Sequence, residues 1–173
     1  MSRPAPRGAL RALLAGNFVI GTGVMVVPGT LNEISTSLAV TVATAGQLIT
    51  AAAVVMCLGA PLLAAVVAGW DRRHLLALTL LWYAAGHVIA ALMPSFGALL
   101  PVRMLTVVAP AIFTPQAAAC AGMLVPPEQR GRAVTFVFLG WSMASVLGLP
   151  LGALIGGHLG GAWLSRPLRC SAS

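Results

Sequence analysis

A single arginine interrupts a long uncharged stretch of this chain. Arg103 separates two runs without Arg, Lys, Asp or Glu, His74–Val102 and Met104–Pro127. If these runs cross a membrane, a charge between them is costly, and such charges are usually paired or functional. The three acidic residues lie in predicted loops or at predicted helix ends: Glu33, Asp71 and Glu128. We therefore expect Arg103 to meet a substrate anion, a backbone carbonyl or a residue outside this chain, unless its side chain extends to the nearer membrane surface.

Uncharged polar residues in the apolar runs are candidates to line a cavity. Pro110 and Pro115 follow Arg103, and prolines within a helix free backbone carbonyls and bend it. In membrane proteins such breaks often line a cavity. The candidate lining residues are Asn17, Thr22, Gln47 and Gln116. Each of them could instead form a hydrogen bond between helices.

A histidine lies in the run that precedes Arg103. His87 is near the middle of that run, and histidine changes its charge near physiological pH, so it could relay protons. The alternative is a hydrogen-bonded packing role.

Small residues recur at every fourth position of the last apolar run. They are Gly140, Ala144, Gly148, Gly152 and Gly156. This spacing puts them on one helix face and allows close contact with another helix. Leu147–Ala153 is also identical to Leu58–Ala64 at five of seven positions. The two predicted helices run in opposite directions, and inverted repeats are typical of secondary transporters, with chance identity among common residues as the alternative.

The chain lacks the residue patterns of enzymes and metal sites. It has no Gly-x-Ser-x-Gly, no phosphate-binding Gly-rich loop and no carboxylate pair. Its cysteines, Cys57, Cys120 and Cys170, have no metal-ligand spacing. We therefore expect no enzyme activity, no metal and no cofactor.

The composition explains where these residues must lie. The chain is 59% hydrophobic and 8% charged, whereas soluble domains carry roughly 25% charged residues. A soluble domain and a disordered chain are both excluded. The net charge of +7 comes from arginines grouped between apolar runs, so a membrane protein is expected and a nucleic-acid-binding protein is not.

The lengths of the apolar runs predict an all-α membrane protein with five transmembrane helices. About 20 apolar residues are needed for each span. The predicted helices lie near residues 10–30, 44–68, 75–93, 98–122 and 133–157. Residues 1–9 then form an N-terminal segment, residues 10–157 a transmembrane domain and residues 158–173 a tail. Because the arginine-containing connections all fall on one side, the N-terminus is predicted to be cytoplasmic.

The last apolar run resembles a motif of the major facilitator superfamily, in its bacterial drug and sugar efflux branch. The resemblance covers about residues 8–160. The residues that look like the antiporter motif of this branch are Gly148, Pro150, Gly152, Gly156 and Gly157. The stricter family pattern places Pro directly after Gly, whereas Leu149 stands between them here.

Other segments add to the resemblance. Arg103 looks like the family's helix-4 arginine, which implies a role in proton coupling. Residues 126–133 resemble the loop before helix 5. A remnant of the loop motif between helices 2 and 3 stands at Asp71, Arg72 and Arg73. The family's earlier Asp-Arg pair is replaced by Val67 and Ala68.

The resemblance implies an incomplete six-helix half of a twelve-helix secondary transporter. The expected activity is proton-coupled efflux of small organic molecules across the bacterial inner membrane, with the lipid bilayer, protons and a small-molecule substrate as partners. Since alternating access needs two halves, we expect the truncated chain to be inactive alone and to need self-association or the missing half. The alternative is a small oligomerising or regulatory membrane protein derived from such a transporter.

The tail departs from the family pattern. Gly160, Gly161 and Ala162 stand where the family continues with Gly-Trp-Arg. Loss of one base from codons for Gly-Trp-Arg can produce codons for Gly-Gly-Ala. A frameshift is therefore expected. It would also explain why two arginines, Arg166 and Arg169, fall on the predicted outer side.

Overall fold

Seven α-helices make up the computed structural model, which describes residues 7–164. It does not describe the side chains of residues 149, 151–153 and 155–164. The helices are α1 (Arg7–Gly29), α2 (Leu31–Ser37), α3 (Val42–Val66), α4 (Arg72–Ala91), α5 (Phe96–Thr106), α6 (Val108–Met123) and α7 (Arg130–Leu164), with a 3-10 turn at Pro127–Gln129. No strand occurs in residues 7–164. Residues 1–6 and 165–173, which hold parts of the predicted N-terminal segment and tail, lie outside the described residues.

Five helical stretches are long and apolar enough to cross a bilayer. They are Arg7–Gly29, Val42–Val66, Arg72–Ala91, Phe96–Met123 and Pro127–Gly148. The predicted all-α membrane architecture with five transmembrane helices is thereby confirmed.

The fourth stretch is broken into two helices. α5 ends at Thr106 and α6 begins at Val108, with Val107 between them. Pro110 has no N–H to donate to the carbonyl of Thr106, and its ring crowds that same carbonyl. The helix therefore ends one turn before the proline.

Two further elements differ from the sequence-based prediction. The predicted loop after the first span contains the short helix α2. α7 continues to Leu164, seven residues past the predicted end at residue 157, so the first part of the predicted tail is helical. Gly160 and Gly161 do not interrupt this helix.

α1 and α7 run parallel and approach one another closely. A Cβ added at Gly21 of α1 would lie 2.7 Å from the Cβ of Ala144 in α7. At Gly148 of α7 it would lie 3.0 Å from the Cβ of Met25. These small residues therefore let the two helices pack side by side.

α6 lies at the centre of the bundle. Its residues Ala109, Phe113, Ala117 and Ala121 are buried in the main apolar cluster. The Phe113 ring occupies the space where a side chain at Gly16 of α1 would be. α3 is peripheral and exposes large apolar side chains, as expected of a helix that faces lipid.

Candidate functional site around Arg103

Arg103 lies in the last turn of α5 and points into the bundle. Its side chain is 5% exposed, so it does not extend to the protein surface. Ser95 caps the start of α5, and its hydroxyl accepts a hydrogen bond from the Ala98 amide at 3.4 Å. A cation in the last turn of a helix also interacts favourably with the helix dipole.

Arg103 meets a histidine from the neighbouring helix. The Nη1 atom of Arg103 lies 3.5 Å from Nε2 of His87 in α4. The Nε atom of Arg103 is buried and has no hydrogen-bond partner among the described residues. A buried N–H without a partner is costly, so this guanidinium retains a donor for another group.

His87 also contacts the backbone of two helices. Its Nδ1 atom lies 3.0 Å from the carbonyl oxygen of Tyr83, one turn earlier in α4. Its Nε2 atom lies 3.4 Å from the carbonyl oxygen of Gly23 in α1. The hydroxyl of Tyr83 donates to the carbonyl of Ile20 at 2.9 Å. Both side chains therefore connect α4 to α1 beside Arg103.

Gly23 makes this approach possible. A Cβ at this position would lie 2.5 Å from the Tyr83 hydroxyl oxygen and 2.9 Å from His87 Nε2. Any larger residue would therefore displace both rings from the α1 backbone.

The depth of Arg103 is fixed by contacts between α4 and α5. A Cβ at Gly86 would overlap the hydroxyl oxygen of Thr106. Thr106 in turn donates to the carbonyl of Val102 at 2.7 Å. The indole N–H of Trp82 donates to the carbonyl of Leu105 at 2.9 Å. These contacts hold the Arg103 turn against α4.

Sequence reasoning considered His87 and Arg103 separately and missed their contact. A signal was present: both residues stand eight positions from Ser95, one on each side. In two antiparallel helices joined by a short connection, such residues lie at equal depth. His87 is therefore a partner of Arg103 that the sequence analysis did not consider. The three that it did consider were a substrate anion, a backbone carbonyl and a residue outside this chain.

The four candidate lining residues do not gather around Arg103. Asn17 is fully buried, donates to the carbonyl of Val137 at 3.2 Å and accepts from the Thr114 hydroxyl at 3.3 Å. These bonds join α1, α6 and α7, as the alternative of an interhelical hydrogen bond expects. The other three candidates are Thr22, which bonds the Phe18 carbonyl of its own helix, Gln47, exposed on α3, and Gln116, partly buried on α6. Their role in lining a cavity stays a prediction.

The first glycine of the antiporter-like segment packs against α1. A Cβ at Gly148 would lie 3.5 Å from the Cα of Thr22, so a candidate lining residue and the first motif glycine are neighbours. Pro150 is exposed. The backbone of Gly152, Gly156 and Gly157 continues α7, but their surroundings lie outside the described part of the chain.

Asp71 of the loop motif caps the start of α4. Its carboxylate accepts from the backbone amides of Arg73 at 3.1 Å and His74 at 3.0 Å. The pKa of Asp71 is lowered, first by the bond from the His74 backbone and then by the His74 side chain. Arg72 and Arg73 are the first two residues of the helix. This arrangement is a helix N-cap, which is a structural role.

Among the side chains that the structure describes, no group of three or more His, Cys, Asp or Glu is placed to hold a metal ion. The polar atoms near Arg103 are the ring nitrogens of His87, hydroxyls and backbone carbonyls. They are suited to binding a proton or an acceptor group.

Comparison with known proteins identifies the family. Residues 13–165 match the model of the Major Facilitator Superfamily. The chain belongs to the Major Facilitator Superfamily. As a member of that family it is an integral membrane protein of the transporter class and not an enzyme.

Individual relatives agree with this assignment. The chain is 39% identical over 141 residues to a chloramphenicol resistance protein of Streptomyces lividans, which is 82% of this chain and 36% of that protein. It is 33% identical over 144 residues to a chloramphenicol efflux pump of Mycobacterium tuberculosis, covering 83% of this chain and 35% of that protein. It is 31% identical over 151 residues to the inner membrane transport protein YdhP of Escherichia coli, covering 87% and 39%.

The chain is much shorter than these relatives. The match covers little more than a third of each of their lengths. The resemblance drawn from the antiporter-like segment, Arg103 and the loop motif is confirmed at the level of the family.

Proposed function

We propose that this chain supplies five helices of one half of a proton-coupled exporter of small organic molecules. The observation that carries the proposal is Arg103, a buried cation with an unpartnered N–H that lies 3.5 Å from a histidine. An intramembrane cation beside a titratable group is the arrangement expected of a proton pathway. Two relatives, a resistance protein and an efflux pump, are both named for chloramphenicol.

The proposed substrate is neutral or amphipathic. Among the described residues of the five apolar stretches, Arg103 is the buried charged side chain. A site with one cation and mostly apolar walls suits a compound with a few acceptor groups and little net charge.

The proposed location is the bacterial inner membrane, with the N-terminus in the cytoplasm. The connection before α4 carries Arg72 and Arg73, and the segment around the start of α7 carries Arg130 and Arg132. Both lie at the same end of the bundle as the start of α1, which is the distribution that the positive-inside rule describes.

The five spans by themselves are proposed to be inactive. Alternating access requires two halves that rock about a site between them. The described residues provide one set of helices, and the surface of α3 that faces outward is apolar. Self-association or a second half is therefore needed for a transport path.

The alternative of an oligomerising or regulatory protein is not favoured by the packing. That alternative needed the face of small residues on α7 to be free for a partner. Instead, Gly140, Ala144 and Gly148 lie against α1 of the same chain. The described part of this face is therefore occupied.

A chimera tests the proposal. The segment of the Streptomyces lividans chloramphenicol resistance protein that matches this chain would be replaced by the corresponding part of this chain. Cells that make the chimera are expected to accumulate less chloramphenicol than cells without it, and dissipating the proton gradient should remove the difference. The chain alone, shown by fractionation to be in the membrane, is expected to have no effect.

Two outcomes would contradict the proposal. One is a chimera that is present in the membrane at normal amounts and does not lower accumulation of the drug. The other is Arg103-dependent efflux by the 173-residue chain expressed alone, which would show that five helices assemble into a complete carrier.

A further inference from the structure

We propose that His87 binds the coupling proton, and that the proton moves the Nε2 hydrogen bond of His87 from Arg103 in α5 to the carbonyl of Gly23 in α1. The meaning of this exchange for transport rests on the proposed function. The exchange itself is a property of the chain and is tested without transport.

The contacts of His87 define where its proton lies when the ring is neutral. Nδ1 is 3.0 Å from the carbonyl oxygen of Tyr83, and a carbonyl only accepts hydrogen bonds. We assign the hydrogen to Nδ1, because this contact is shorter than the 3.4 Å between Nε2 and the Gly23 carbonyl oxygen. In a neutral imidazole the other nitrogen then has a free lone pair.

That lone pair faces Arg103. The guanidinium donates hydrogen bonds and cannot accept them, and its Nη1 atom lies 3.5 Å from Nε2. Neutral His87 is therefore an acceptor for Arg103 at Nε2 and a donor to Tyr83 at Nδ1.

A second proton reverses the role of Nε2. Protonated histidine donates from both nitrogens, so Nε2–H no longer accepts from Arg103. The other atom within reach of Nε2 is the Gly23 carbonyl oxygen at 3.4 Å, which is an acceptor. The proton is taken up on the lone pair of Nε2, and no covalent bond between heavy atoms changes. One hydrogen bond is lost to α5 and one is gained to α1.

Charge acts in the same direction as the hydrogen bonds. Two cations a few ångströms apart repel, so a protonated His87 disfavours the position that Arg103 occupies beside the neutral ring. The Nε–H of Arg103 already has no partner among the described residues. Once released from His87, the guanidinium is free to bind an acceptor group of the substrate or of a second half.

The groups that face His87 from each helix allow this exchange. α4 contributes Tyr83, whose ring is 4.4 Å from the histidine ring, centre to centre. α5 contributes Arg103, and α1 contributes the backbone carbonyl of Gly23. The acidic residues of the described part, Glu33, Asp71 and Glu128, all lie outside the five long apolar helices or at their ends. The cation that His87 meets is therefore Arg103.

The new bond acts on the part of α1 that touches the antiporter-like segment. Gly23 lies between Thr22 and Met25, and these two residues pack against Gly148 of α7. Protonation of His87 thus releases Arg103 of α5 and adds a hydrogen bond to the part of α1 that packs against Gly148 of α7.

Solid-state NMR of the whole chain in lipid bilayers tests the proposal. The chain would carry ¹⁵N-labelled histidine and arginine and ¹³C-carbonyl glycine, and His74→Gln and His158→Gln would leave His87 as its remaining histidine. At high pH, His87 is expected to be neutral with its hydrogen on Nδ1 and its Nε2 in contact with the Arg103 guanidinium. At low pH, both nitrogens should be protonated, the arginine contact should be lost, and a contact between Nε2 and a glycine carbonyl should appear.

Two glycine variants identify that carbonyl. In Gly23→Ala the new Cβ would lie 2.9 Å from Nε2, so the contact at low pH should be lost. In the control Gly46→Ala, where nothing lies within 4 Å of the added Cβ, it should persist.

Results of the opposite kind would overturn the proposal. A neutral His87 with its hydrogen on Nε2 at high pH would show that Arg103 is not its donor. An Nε2 contact that is the same at high and low pH would show that no exchange occurs. If either result is obtained and the chimera still exports chloramphenicol, only the exchange at His87 is contradicted and the proposed function stands. If the exchange is observed and the chimera is inactive, only the proposed function is contradicted.

Discussion

Gly140 of α7 lies directly against the backbone of Leu14 in α1. A Cβ on Gly140 would overlap the carbonyl oxygen of Leu14 and lie 3.0 Å from the backbone nitrogen of Phe18. Backbone atoms inside a helix cannot move aside as the end of a side chain can. The distance between α1 and α7 is therefore set by the absence of a side chain at residue 140.

The variant Gly140→Ala should therefore lower stability. Overpacking of a well-packed contact costs about 2 kcal/mol, which exceeds the gain of up to roughly 1 kcal/mol that alanine brings to a helix interior. The measurement is unfolding of the purified chain in mild detergent, followed by circular dichroism.

Gly131→Ala in the same helix is the matched control. Nothing lies within 4 Å of a Cβ at residue 131, so its stability should be unchanged or slightly higher. Equal unfolding of the two variants would show that the helices do not touch at Gly140.

Asn17→Ala tests the polar contact at the centre of the bundle. The change removes the donor to the Val137 carbonyl and the acceptor of the Thr114 hydroxyl. The Val137 carbonyl keeps its bond within α7, whereas the Thr114 hydroxyl loses its acceptor. A buried group left without a partner costs about 1–3 kcal/mol, so the variant should unfold more readily than the parent.

Thr22→Ala is the control for this loss. The Thr22 hydroxyl bonds the Phe18 carbonyl of its own helix at 2.8 Å, and little should change in stability when it is removed. If both variants are as stable as the parent, the hydrogen bonds of Asn17 do not stabilise the contact between the helices. That result would favour a role for Asn17 as a cavity-lining residue.

Much of the fold was predictable because apolar length is a strong signal. The lipid interior requires helices with internally satisfied backbones, so uncharged runs of sufficient length predicted five spans, which the helices match in number. The break at Val107 was less visible. Pro110 and Pro115 both suggested a bend, but α6 continues through Pro115 and the interruption occurs one turn before Pro110.

Long-range polar contacts were harder to predict than helices. Sequence alone singled out Arg103 because it is a charge in an apolar run. Sequence alone did not show that Asn17 would be buried between three helices. A polar residue in a membrane span looks the same in sequence whether it lies on a buried face or lines a cavity. Helix rotation decides between them, and the weak amphipathicity of spans such as α7 leaves that rotation undetermined by pattern alone.

The N-cap at Asp71 should make the start of α4 sensitive to acid. Its pKa in the folded chain lies below the ordinary value of 3.8, chiefly because the carboxylate accepts the His74 amide. A lowered pKa means that the ionised cap stabilises the helix above 3.8 and that this contribution is lost as the pH falls below 3.8 through the folded pKa. The amide NMR signals of Arg73 and His74 should shift together over that range.

Asp71→Asn is the control for the titration. Asparagine keeps an oxygen that caps the same amides but has no carboxyl proton to gain. The acid-dependent shift of the two amides should vanish in this variant while α4 still begins at residue 72. A shift that persists would have to come from another group.

Substitution of Arg103 should separate transport from stability. In the chimera, Arg103→Met is expected to abolish proton-driven efflux, because the guanidinium that exchanges partners with His87 is gone. The same change removes a charged side chain that is 5% exposed. It also removes an N–H that has no partner among the described residues. Replacing buried charge with an apolar side chain is often neutral or stabilising, here by about 1 kcal/mol.

The two readouts together exclude a purely structural role for Arg103. If the arginine served only to hold α4 and α5 together, Arg103→Met would lose stability and efflux in parallel. Arg7→Met, at the exposed start of α1, removes the same charge away from the bundle interior and should leave both unchanged. A variant that is as stable as the parent, present in the membrane and unable to export chloramphenicol would place Arg103 in the transport step itself, since the helices that carry it would still be intact.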